Sequence, residues 1–164
     1  MNMHKIIFSF LGITCLIALT LCSSGQCSTP VANFPKISLD RVAIGGIQPF
    51  ATKDYVRSIY GEPDEISERN SKSYDYSEPD ETWKYGETFS ISFANGKVFC
   101  LDSSGPNGLK TPDGIAVGDS EGKLLAAYGK GWRNGYWYKS EYDINLYFQV
   151  KNGKVVSISA GWNL

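Results

Sequence analysis

The sequence predicts an α+β chain of two tandem repeats, each a short helix followed by three antiparallel strands, with the helices packed on one face of the sheet or sheets. Three observations predict it. Gly46-Ile47, Val56 and Tyr60-Gly61 recur in the same order and spacing as Gly114-Ile115, Leu124 and Tyr128-Gly129, and order-preserving self-similarity marks an internal repeat. After each Tyr-Gly pair the hydrophobic period falls to two, as in Phe89, Ile91, Phe93 and in Ile144, Leu146, Phe148, the pattern of strands with one buried face. Asn95-Gly96-Lys97-Val98 then recurs as Asn152-Gly153-Lys154-Val155. Asn-Gly is a strong hairpin signal, because both central residues of that turn need positive φ.

Residues 1–27 read as a signal peptide and its exit. Lys5 supplies the only charge, Ile6 to Leu21 is an apolar run, and Cys22-Ser23-Ser24-Gly25-Gln26-Cys27 turns small and polar, with cleavage expected between Ser24 and Ser28. The run is shorter than the roughly 20 residues a spanning helix requires. A lipid anchor on Cys22 or Cys27 would call for a small preceding residue, whereas Leu21 and Gln26 stand there. Cleavage before Cys27 leaves Cys27 and Cys100 as the two mature thiols, able in principle to form one disulfide. Residues 28–41 follow as an N-terminal tail.

The first repeat spans 42–104. Thr52 can cap a helix start, Val56, Ile59 and Tyr60 give an apolar stripe, and Gly61 closes the helix. An insertion at 62–81 carries Glu62, Asp64, Glu65, Glu68, Asp75, Glu78, Asp80 and Glu81, with Tyr74 and Tyr76 among serines, and reads as an exposed acidic loop. Of the third strand, Phe99 and Leu101 are expected to face the helix, leaving Val98 and Cys100 with Ser90 and Ser92 on the opposite face. A turn-rich linker, 105–113, leads to the second repeat, 114–164. There Asp119 or Ser120 caps the helix, Leu124, Ala127 and Tyr128 form its stripe, and Gly129 ends it. Val156, Ile158 and Ala160 are expected toward the helix, with Asp143, Asn145, Tyr147, Gln149, Val155, Ser157 and Ser159 on the other face.

Composition removes several functional classes. Sixteen Lys+Arg against seventeen Asp+Glu give a formal charge of −1, which gives no support to nucleic-acid binding. The single histidine is His4, so the mature part has no imidazole for a metal, a triad or proton transfer. No nucleophile elbow, phosphate-cradling glycine loop or regular calcium-loop spacing is present, and neither a metal nor a cofactor is expected. The expectation is a chain that is not an enzyme.

The tandem units resemble the β-lactamase inhibitor protein family and the outer-membrane assembly lipoproteins of the BamE type. The resemblance is carried by Gly-Ile, the Thr52 or Asp119-Ser120 cap, Tyr-Gly at the helix end, the Trp/Tyr strand and Asn-Gly-Lys-Val, over roughly residues 44–164. It implies a non-catalytic domain whose aromatic sheet face grips a partner protein. Fold likeness does not transmit the choice of target.

The segment Trp132-Arg133-Asn134-Gly135-Tyr136-Trp137-Tyr138 packs four aromatics into seven residues, and a strand there must point some of them outward. Rigid rings lose little entropy on docking, so Trp and Tyr dominate binding hot spots. Trp132, Tyr136, Trp137, Tyr138 and Tyr147, with Tyr74 and Tyr76 of the acidic loop, are the candidate binding residues. The same rings can fill a small core, or form a carbohydrate platform. The expected function is an exported, non-catalytic binding module with a protein partner in the envelope or outside the cell. Membrane attachment is expected only if a signal cysteine is lipidated. The alternatives are an envelope assembly or scaffold factor and a glycan hydrolase using two carboxylates.

Overall fold

The computed structural model describes residues 36–69 and 79–162. The leader, its cleavage and lipidation sites, Cys27, Tyr74 and Tyr76 lie outside the described residues.

Two short helices form where capping chemistry allows them. Helix α1, Lys53–Tyr60, starts at Thr52, whose hydroxyl accepts the Tyr55 N–H, and closes at Gly61 with φ 76°. Helix α2, Glu121–Tyr128, starts at Ser120, which accepts the Lys123 N–H, and closes at Gly129 with φ 70°. The two caps satisfy backbone donors that a helix start leaves unpaired. Val56, Leu124 and Tyr128 are buried, but Ile59 of the expected stripe is 44% exposed. A two-turn helix at the periphery buries a narrower stripe than its spacing suggests.

The strands are β1 Glu65–Glu68, β2 Glu81–Tyr85, β3 Phe89–Ala94, β4 Lys97–Ser104, β5 Trp137–Lys139, β6 Ile144–Lys151 and β7 Lys154–Trp162. They make one antiparallel sheet in the order β1-β2-β3-β4-β7-β6-β5. The expected architecture of two tandem helix-plus-three-strand repeats is corrected by this sheet. β4 pairs with β7 through Leu101 opposite Ala160, so the strands share one continuous ladder. A unit of about 50 residues is near the limit for independent stability, and an unpaired β4 or β7 would present an open edge. β1 also arises within the segment read as an acidic loop. Its four residues are all exposed, and it holds to β2 through backbone pairing, with Glu65 bound to Lys84 at 2.9 Å.

One apolar cluster fills the space between the sheet and the helices. Trp83, Phe93, Leu101, Leu146, Phe148 and Ile158 come from the sheet, and Val42, Ile44, Ile47 and Ile115 from the segments leading into the helices. Ile37 also joins it, with its N–H donated to the Lys139 carbonyl at 2.9 Å.

Two bulges reset the strand phase. The β3–β4 register shifts between Ser92 and Phe93, pairing Ser92 with Cys100 and Phe93 with Val98. The β6–β7 register shifts in the same way, pairing Gln149 with Ser157 and Val150 with Val155. Each bulge leaves one extra residue, Phe99 or Val156, and reverses the alternation beyond it. Val98 and Val155, expected on the outer face, are therefore buried in the core. Phe99 and Val156, expected toward the helices, are only partly buried.

Candidate functional site

The face of the sheet turned away from the helices is a cross-strand series. One row runs from Glu65 through Lys84, Ser90, Asp102, Ser159 and Tyr147 to Trp137. Its centre is small and polar. Asp102 accepts the Ser159 hydroxyl at 2.6 Å and the Cys100 thiol at 3.0 Å. Burial, reinforced by the Asp102 charge, pushes the Cys100 thiol far above its ordinary range, so it stays protonated and non-nucleophilic. The cross-strand neighbours of Asp102 are Ser90 and Ser159, neither of which is a second carboxylate.

At the β5 end the surface becomes aromatic and cationic. A tight turn carries Arg133 and Asn134 at φ 43° and 56° and sets Trp132 against Trp137. Their reciprocal backbone hydrogen bonds measure 2.7 and 3.0 Å. Gly131 makes this approach possible, since a Cβ there would lie 2.7 Å from the Trp137 carbonyl oxygen. The Arg133 guanidinium lies 4.6 Å from the Trp132 ring centre and 4.7 Å from that of Trp137, and the Lys139 ammonium is 5.3 Å from Trp132. Tyr147 packs on Trp137 with ring centres 5.3 Å apart. The Trp137 indole N–H donates to Asn145 Oδ1 at 3.0 Å, and Asn145 donates to the Asp143 carbonyl at 2.8 Å. Trp137 is thus held in place, and Trp132 stays 37% exposed.

The structure brings together Trp132, Trp137 and Tyr147 of the sequence-derived candidates. Tyr138 points the other way and is buried against Tyr128 and Phe148, donating to the Gly129 carbonyl at 2.8 Å. Burial pushes its phenol up to about 12. Tyr136 is half-buried, with its hydroxyl donated to Glu121 of α2, whose carboxylate raises the phenol. Tyr74 and Tyr76 lie outside the described residues. Sequence reasoning missed Arg133 and Lys139, and the signal for them was present: cations interleaved with Trp132 and Trp137 invite stacking on the ring faces. Among the described residues, no group of three His, Cys, Asp or Glu is placed to hold a metal ion, and no helix is long and apolar enough to cross a membrane.

No family model matches the sequence, and no curated protein matches it significantly. Among solved structures, an extracellular protein containing an SCP domain from Bacillus anthracis matches at 11% identity and a TM-score of 0.45, covering 70% of this chain and 44% of its own. A cysteine-rich secretory protein from Staphylococcus aureus matches at 12% identity and a TM-score of 0.47, covering 79% of this chain and 50% of its own. The chain thus spans half or less of each of these structures. The resemblance to β-lactamase inhibitor proteins and BamE-type lipoproteins is corrected. The solved structures it is similar to are SCP-domain and cysteine-rich secretory proteins, and no model of either expected family matches.

Proposed function

We propose that the chain is an exported, non-catalytic binding module that docks a protein partner through the aromatic and cationic end of its open sheet face. The observation that carries this reading is the Arg133 guanidinium stacked between Trp132 and Trp137. The stack lies outside the apolar core, and its geometry is already fixed by the turn and by Asn145. A surface group ordered before contact loses less entropy on binding, and Trp, Tyr and Arg are the residue types that concentrate binding energy. Export rests on the composition of the leader. Attachment by a lipid on Cys22 or Cys27 is the finer alternative, and a mass measurement on the mature protein decides it.

The test is affinity capture from envelope and extracellular fractions with the mature chain. The reading expects a partner retained by the parent protein and by a Lys84→Ala control, and lost by Trp137→Ala and Arg133→Glu at unchanged circular dichroism. A partner held equally by all four proteins removes this face as the docking surface.

A further inference from the structure

We propose a second binding site, for a small apolar carboxylate consisting of one ring and a short acid chain. It occupies the pocket where the β3–β4 turn meets the start of β6 and the end of β7. The cavity measures about 210 Å³, with apolar walls formed by Phe50, Val98, Phe99, Ile144 and Trp162, and with Asn95 and Lys97 also lining it. It is independent of the Trp132–Trp137 surface.

Two departures from regular structure and one strand end bring rings to this pocket. Phe50 has φ 70° and is 46% exposed, a strained conformation for a bulky residue. It is held there because its N–H donates to the Val98 carbonyl at 2.8 Å and the Val98 N–H donates to the Ala51 carbonyl at 2.8 Å. Phe99 is the extra residue of the β4 bulge, and bulges commonly re-aim a side chain. Trp162 ends β7 with 37% exposure, packs edge-on to Phe99 with ring centres 6.4 Å apart, and donates its indole N–H to the Tyr142 carbonyl. Backbone strain held in place by surrounding hydrogen bonds clusters at ligand sites, and here it coincides with a concave apolar surface.

Charge and size select the occupant. Among the described residues Lys97 has no ion-pair partner, and the nearby Asp80 carboxylate is engaged by the Asn95 backbone N–H at 3.0 Å. An apolar pocket with one cation in its lining matches an apolar acid. The volume lies below the roughly 300–1,000 Å³ of pockets for larger ligands, which limits the ligand to a single ring.

The test is titration of the full chain with 3-phenylpropionate and with its neutral analogue 3-phenylpropan-1-ol. The readout is the indole N–H resonance of Trp162, assigned with Trp162→Phe, against those of Trp83, Trp132 and Trp137. The expected result is a saturable shift confined to Trp162, with the acid binding about threefold or more tighter than the alcohol. Lys97→Gln, a change at the exposed first residue of β4, is expected to erase that preference. A Trp162 resonance that does not move, four indoles that move together, or an acid preference that survives Lys97→Gln each overturns the proposal.

Discussion

Gly161 lies so close to Cys100 across the β4–β7 seam that a Cβ at Gly161 would stand 2.7 Å from the Cys100 Cα and 2.4 Å from the Phe99 carbonyl oxygen. The contact is backbone against backbone, so no side chain can swing aside to relieve it. Gly161→Ala is expected to destabilise the chain by about 2–3 kcal/mol, as overpacking does in a close-packed interior. Urea denaturation measures it, and a loss under about 0.5 kcal/mol, the usual surface scale, would mean that the seam is looser than described.

Trp83 and Trp137 make a matched pair for separating stability from binding. Trp83 is fully buried against Phe93, with ring centres 4.6 Å apart, and Trp83→Ala is expected to cost about 3–5 kcal/mol. Trp137 is only partly buried, and Trp137→Ala is expected to cost about 1 kcal/mol while abolishing partner capture. Thermal melts alongside the capture experiment check both.

Acid sensitivity should concentrate at Glu81. Burial pushes its carboxyl up, but hydrogen bonds from Lys53 and Trp83, with the charges of Lys53 and Arg57, outweigh that and hold it below the usual range. A carboxylate depressed in the folded state contributes stability above its unfolded value of about 4.3. That contribution is lost as the pH falls through the depressed value. Glu81→Gln is expected to lower stability by about 1–3 kcal/mol at neutral pH and to flatten the decline below about pH 4. Denaturation midpoints across that range, for parent and variant, provide the comparison.

Each helix depends on one hydroxyl. Thr52→Ala and Ser120→Ala are each expected to cost about 1 kcal/mol. With no shared partner between them, the double variant should lose the sum within about 0.5 kcal/mol. Chemical denaturation of the three variants tests this, and a large excess in the double variant would show that the caps are coupled through the core.

Local chemistry was legible in the sequence wherever one residue type has one physical use. Asn95-Gly96 and Asn152-Gly153 take up positive φ in their hairpins, and Thr52 and Ser120 cap their helices. What was not legible depended on partners distant in the chain. Alternation alone places Phe99 and Val156 inside, and only the cross-strand register shows that each is an extra residue. Glu65–Glu68 has no apolar alternation to announce a strand; it pairs because β2 offers an edge. The β4–β7 seam has no sequence signal at all, which is why alternation left open whether the strands form one sheet or two. For the candidate site, the ring-rich segment stood out, but the turn at Arg133 and Asn134 decides that Trp132 and Trp137 share a surface while Tyr138 goes to the core.

The seam also governs the order in which the molecule can assemble. Every other pairing within the sheet joins strands that are neighbours in the chain, whereas Leu101 must wait for Ala160. Contacts between remote positions form slowly because a long loop has to close first. During synthesis the edge of β4 therefore stays open until the final described strand arrives. Through that interval the nascent chain has a sticky border for a chaperone to shield, and it is most prone to pair with a neighbouring copy.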